Sequence, residues 1–304
     1  MAREHFDVAG RTVFITGAAR GIGAGAAERL HARGANVALV GLEPDRLEEL
    51  AARLGDRAAC YEADVTDMDS LESAVRETIA RFGAIDVAIA NAGISFTGSI
   101  AGGRPEQFER TVDVNLMGVW RTNRAVIGEI TRRRGYLLNI ASASVIFHAP
   151  LMGAYTTAKS GVEALTDALR METAPSGARV GCAYFGFIDT DMVRAGFALP
   201  TASRLNESVP SFLIRPRPVS TAVDAIERGV ERRAARVYSP RWVAAMSRLR
   251  GIGQPLTEWR SLRDPRLAES VAASDASGEA DRLDPVLGVA ANELAERPAV
   301  TQPG

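Results

Sequence analysis

Lysine is almost missing from this 304-residue chain. Of 36 Lys+Arg positions, one is lysine, Lys159, and the other 35 are arginine. Arginine is a planar, permanently charged fork, and at a chemical site it does not replace a compact ammonium on a flexible stem. The spared position therefore points to chemistry, although a lone lysine surviving on a solvated helix face is the alternative. Cysteine is also scarce. Cys60 and Cys182 have no metal-ligand spacing and form no disulfide framework, so the expectation is free thiols in a reducing cytoplasm, with no metal. No apolar run approaches the ~18 residues of a membrane span, and residues 1–10 are too polar for a secretory signal. No charge of one sign dominates: the net charge is −1, which gives no case for nucleic acid or an anionic membrane as partner. Arg132-Arg133-Arg134 reads as the solvated end of a helix. With 46% hydrophobic and 24% charged residues, the chain is an ordinary globular protein.

Up to about residue 190, short β-branched runs alternate with helical stretches. Strands are predicted at 12–16, 36–40, 57–62, 85–90, 136–140 and 179–184, and helices at 21–33, 45–54, 67–82, 105–133 and 153–173. Asp67 is the expected cap of the third helix. This alternation argues for an α/β fold, a doubly wound parallel sheet of Rossmann type. Residues 186–218, punctuated by prolines and rich in Phe, read as a long loop and hence a functional lid. A helix at 219–233 and an edge strand at 236–239 complete a single domain over residues 1–240. Residues 241–304 form a partly helical extension, with partial disorder expected from Asp264 onward.

The first strand runs into Thr16-Gly17-Ala18-Ala19-Arg20-Gly21-Ile22-Gly23, which opens the first helix. Glycines there permit a tight turn and let a pyrophosphate approach the free N–H groups of a helix N-terminus. Asp64-Val65 follows strand three, where the carboxylate could accept a bond from an adenine amino group or merely cap a helix. Asn91-Ala92-Gly93 follows strand four at the same edge of the sheet. Asn115 interrupts an apolar helical pattern, where asparagine is unfavourable unless it bonds something. Ser142 ends strand five without a Gly-x-Ser-x-Gly elbow, so it is no nucleophile of that kind. Tyr155 and Lys159, spaced i and i+4, share one helix face and can reach one small ligand. His148 reads as a loop residue.

In this order and spacing, the motifs resemble the short-chain dehydrogenase/reductases, in their shorter, single-domain branch, over about residues 8–240. The resemblance implies an NAD(P)-dependent oxidoreductase acting on a ketone/secondary alcohol pair. It makes Tyr155 the general acid/base, with Lys159 lowering its pKa and binding the cofactor ribose. Ser142 would then bond the substrate oxygen and Asn115 hold a relay water. Gly17, Arg20, Gly21, Ile22, Gly23, Glu43, Asp64, Val65, Asn91, Ala92, Gly93, Ile188 and Thr190 would line the cofactor, together with Tyr155 and Lys159.

The chain departs from the family pattern in two places. Phe185-Gly186 stands where a Pro-Gly pair is usual. Gly41-Leu42-Glu43 carries neither the aspartate of NAD users nor the basic residue of NADP users. Arg20 favours a phosphate and Glu43 repels one, so the sequence leaves NAD or NADP open. A homodimer or homotetramer is expected, pairing through the helices around 105–133 and 153–173. Apolar residues of the lid and of the segment after Ser142 (Phe185, Phe187, Phe197, Leu199, Phe212, Leu213, Ile214, Val145, Ile146 and Phe147) favour a bulky apolar substrate. Arg194, Arg204 and Arg215 leave an anionic one open. The competing readings are a nucleotide-sensing regulatory or scaffold protein, and a dehydratase or epimerase on the same scaffold.

Overall fold

The computed structural model describes residues 5–198 and 211–277. Seven parallel strands form one sheet in the order β3-β2-β1-β4-β5-β6-β7. They are β1 (Thr12–Thr16), β2 (Asn36–Gly41), β3 (Ala58–Glu62), β4 (Val87–Ala90), β5 (Tyr136–Ile140), β6 (Arg179–Phe185) and β7 (Arg236–Ser239). Strand side chains alternate between faces, and both faces are buried. Val13, Ile15, Val37, Leu39, Val87 and Ile89 pack into one core. Phe14, Ala38, Val40, Ala88 and Leu137 pack into the other. This is why the inner strands read as continuous apolar runs rather than alternating ones.

Against the first core lie α1 (Gly21–Ala32) and α9 (Val219–Glu231), and α2 (Pro44–Leu54) joins β2 to β3. On the other face lie α3 (Met68–Phe82), α5 (Gly118–Arg132) and α6 (Gly153–Thr173), with α4 (Pro105–Val112) leading into α5. Asp67 caps α3 as expected, accepting from the Asp69 N–H at 3.0 Å. Order reverses between β1 and β4, where the chain leaves on opposite sides of the sheet. The crevice beyond the carboxyl ends of those strands is where ligands bind in this architecture.

Three features differ from the sequence expectation. The helix predicted across 105–133 contains a π-helical turn at Asp113–Met117, with Gly118 N–H bonding back to the Asp113 carbonyl. Residues 186–218 are not all loop: α7 (Asp191–Ala198) and α8 (Ser211–Ile214) lie within them. Beyond α10 (Arg241–Ser261), part of the stretch for which partial disorder is expected forms α11 (Pro265–Ser277). Leu267, Ser270, Val271 and Ser274 make its covered stripe at helical spacing. Small serines there let a weakly hydrophobic helix lie close to the body. Leu199, Arg204 and residues 278–304 fall outside the described residues, as does the Phe212 side chain.

Candidate active site

Between β1 and α1 the chain turns with Gly17 at φ +65° and Gly21 at φ +58°, a region open chiefly to glycine. Space imposes a second constraint. A Cβ on Gly23 would lie 2.1 Å from the Gly17 carbonyl oxygen, and one on Gly17 would lie 2.8 Å from Ala92 Cα. The N-terminus of α1 has neither a side-chain cap nor an acidic residue in its first turn. Its free N–H groups and positive dipole end suit a pyrophosphate. Asn91 holds this turn from the neighbouring strand, its Nδ2 donating to the Thr16 and Gly17 carbonyls at 3.1 Å each. Thr16 Oγ1 accepts from the Asn91 and Ala92 N–H groups in return. Asn91 and Ala92 thus stitch two loops together.

Glu43 follows β2 and is mostly buried. One carboxylate oxygen lies 3.2 Å from an Arg20 guanidinium nitrogen but receives no hydrogen bond from any described residue. Arg20 also approaches Asp191 of α7, at 3.9 Å. It bridges the glycine loop, the end of β2 and the start of the lid. Asp64 accepts from the Thr66 N–H at 2.8 Å, while its other oxygen lies 3.8 Å from Arg110. Thr190 sits over the glycine loop: a Cβ on Gly21 would touch its methyl at 3.4 Å. The Val65 side chain is buried among Leu71 and Val114, and those of Ile22 and Ile188 pack on the core of the other face. At Val65 and Ile188, backbone is what can face a ligand.

The polar centre lies beyond β4 and β5. Lys159 is 3% exposed and donates to the Ile140 carbonyl at 2.9 Å. Its Nζ stands 5.8 Å from the centre of the Tyr155 ring. Burial lowers its pKa to about 8. An ammonium has three donors, and the bond to Ile140 uses one. The Tyr155 phenol is pushed upward by burial, opposed by a hydrogen bond with Ser142. The described hydrogen bond of the ammonium goes to Ile140 rather than to the phenol. The Ser142 hydroxyl also accepts from the Ser144 N–H at 3.1 Å.

Asn115 is fully buried in the π-helical turn. Its Oδ1 accepts from the Ile94 N–H at 2.8 Å and its Nδ2 donates to the Ile94 carbonyl at 2.7 Å. The side-chain amide is thereby spent on the loop after β4. Gly93 is pressed into the same corner: a Cβ there would lie 2.7 Å from Asn115 Oδ1 and 3.6 Å from Lys159 Nζ.

Not every residue assigned to the substrate walls faces the cleft. Val145 and Ile146 belong to a core cluster with Tyr184 and Val243, and Phe185 belongs to the core around β1. Phe147 packs on Trp242, with ring centroids 6.2 Å apart. Phe187 and Phe197 pair at 4.9 Å in the lid, and Arg194 is held by Asp189 at 2.8 Å. His148 is exposed, as its loop position suggested. Sequence reasoning missed Ile94, Ile140 and Asp191, because each acts through a backbone group or a distant ion pair that no motif marks. Among the described residues, no group of His, Cys, Asp and Glu could hold a metal, and no helix is long and apolar enough to cross a membrane.

Comparison with known proteins agrees with this geometry. The profile of the family described as short chain dehydrogenase matches residues 11–198. A trans-4-hydroxycyclohexanecarboxylate dehydrogenase of Sinomonas cyclohexanicum is 33% identical, covering 63% of this chain and 78% of that protein. The structure of an alcohol dehydrogenase from Thermococcus sibiricus, complexed with 5-hydroxy-NADP, superposes with TM-score 0.65 at 27% identity. It covers 75% of this chain and 95% of its own. A 3-ketoacyl-(acyl-carrier-protein) reductase from Brucella melitensis, complexed with NADH, gives TM-score 0.67 at 26% identity, covering 76% and 97%. The protein belongs to the short-chain dehydrogenase/reductases and is an NAD(P)-dependent oxidoreductase.

Proposed function

We propose that the chain interconverts a bulky, largely apolar secondary alcohol and its ketone, with Tyr155 as general acid/base. The carrying observation is the burial of its one lysine beside that tyrosine, Nζ 5.8 Å from the ring centre, with Ser142 just beyond β5. The nicotinamide supplies or accepts the hydride, and the protein supplies position and electrostatics. In reduction, Ser142 orients the carbonyl oxygen and Tyr155 passes its phenolic proton to that oxygen as the carbonyl carbon is reduced. A phenol kept protonated by burial is ready for this step at neutral pH. The spare Lys159 donors would hold the ribose hydroxyls, and the charge would then bear on the phenol. The relay water would rest on backbone carbonyl rather than on the Asn115 amide, because a π-helical turn disturbs the regular i→i−4 pairing.

NAD is the favoured cofactor. The mostly buried Glu43 carboxylate, paired with Arg20 through one oxygen, would accept a ribose hydroxyl and repel a phosphate. A bulky apolar substrate is supported by the Phe187–Phe197 pair of the lid. Oligomerisation through α5 and α6 is supported by the exposed Met117, Trp120 and Met171. A cytoplasmic location is supported by two free cysteines, Cys60 partly covered and Cys182 buried. The test of the function is NAD(H)-coupled turnover across matched ketones and alcohols. Faster turnover of small polar polyols than of bulky ketones would reject the substrate class.

A further inference from the structure

The family profile ends at residue 198, yet the extension beyond β7 reaches the loop after β4 through Asp275. The loop after β4 begins at Gly93, against Asn115 and Lys159, and reaches the segment that precedes Tyr155. There the Gly98 N–H donates to the Leu151 carbonyl at 2.8 Å. The Ile100 side chain lies where a Cβ on Gly153 would stand, 2.5 Å away. This loop therefore borders the substrate end of the site.

From α11, 176 residues away in sequence, Asp275 Oδ1 accepts the Ser99 hydroxyl at 2.5 Å. The Ser99 oxygen in turn accepts the Gly102 N–H at 2.8 Å. The carboxylate lies flat on Gly102, where an added Cβ would meet Asp275 Cγ at 2.4 Å. Leu267, Ser270, Val271 and Ser274 on the same helix are partly or fully buried. A second tie joins α10 to the other rim, where Gln254 Nε2 lies 2.7 Å from His148 Nδ1.

We propose that the extension is the outer wall of the substrate cleft, with Asp275 as a positioning residue that fixes the Ser99–Gly103 loop and thereby sets which substrates fit. This rests on the oxidoreductase reading above. The chemistry of the contact restricts its partners. A hydroxyl at residue 99 must donate, residue 102 must lack a side chain, and residue 275 must present an acceptor. Asn satisfies the last requirement and Ala does not.

The test uses the full-length protein with NADH bound and compares wild type, Asp275→Ala, Asp275→Asn and Gly102→Ala. Two readouts are taken: amide hydrogen exchange over residues 95–103, and separate KM and kcat values for butan-2-one and 4-phenylbutan-2-one. Asp275→Ala and Gly102→Ala are expected to speed exchange by about tenfold or more. They should change the ratio of the two KM values at least about fivefold, leaving the NADH dissociation constant within about twofold. Asp275→Asn should restore both. Unchanged exchange in Asp275→Ala overturns the latch. Faster exchange with an unchanged KM ratio overturns the specificity role. If wild type reduces neither ketone under any condition, the bulky-ketone reading and the substrate role fall together, and exchange alone decides the latch.

Discussion

Arg20 and Glu43 form an ion pair, 3.2 Å apart, across the place where the adenosine end of a dinucleotide would lie. In sequence they argue against each other, one favouring a phosphate and one repelling it. Joined, they leave a carboxylate whose charge is partly balanced and whose oxygen still seeks a donor. Glu43→Gln removes the repulsion and frees Arg20. The ratio of kcat/KM for NAD over NADP should fall by about tenfold, roughly 1.4 kcal/mol. A ratio that stays put or rises would show that Glu43 does not select the cofactor.

Gly23→Ala places a methyl 2.1 Å from a backbone carbonyl, and no flexible side chain can give way. Overpacking of this kind typically costs about 1–3 kcal/mol, and the turn around the pyrophosphate site must shift. Nicotinamide cofactor affinity, measured by fluorescence titration, should drop at least about tenfold. Wild-type affinity would mean that the turn does not hold the cofactor.

Burial lowers Lys159 to about 8 in the fold, against 10.5 for the free side chain. Below pH 8 both folded and unfolded chains carry the proton, and the cost of the buried charge is present in full. Between about pH 8 and 10.5 the unfolded chain holds the extra proton, so this group makes stability rise with pH. Urea unfolding of wild type and Lys159→Met should show the difference in stability moving toward wild type across that window. A difference independent of pH would place the lysine in a solvated setting.

Trp120→Glu and Met117→Glu put charge on an exposed apolar strip of α5 and of the π-helical turn before it. If that strip joins two copies, light scattering should give an oligomer for wild type and a monomer for the double variant. A wild-type monomer at micromolar concentration would remove the assembly from the account.

Much of the fold was legible because its signals are local. The strands flanking the crevice were plain as β-branched runs, and the glycine spacing marked the first turn. The π-helical turn was not legible: apolar periodicity persists through Val112, Val114, Leu116 and Val119 while one backbone hydrogen bond shifts register. Prolines and phenylalanines made residues 186–218 resemble a loop, although Asp191–Ala198 gains a helix from contacts such as Phe187 on Phe197. The small, polar composition of α11 suggested partial disorder, because the partner that seats it, the Ser99–Gly103 loop, lies far away in the chain. Motif order brought Ser142, Tyr155 and Lys159 together, but it could not give the orientation of the ammonium. That depends on the carbonyl of Ile140.

The central claim is that Tyr155 moves the proton, and Tyr155→Phe tests it most directly. The substitution removes one hydroxyl and keeps the ring beside Lys159. Turnover of an accepted ketone should fall by at least about 10³-fold, within the range for loss of a general acid. The NADH dissociation constant should stay within about twofold of wild type. Lys159→Arg should also lose activity despite keeping the charge, because the fork cannot make the ammonium's contacts. Retention of most turnover in Tyr155→Phe, with cofactor bound normally, would contradict the account.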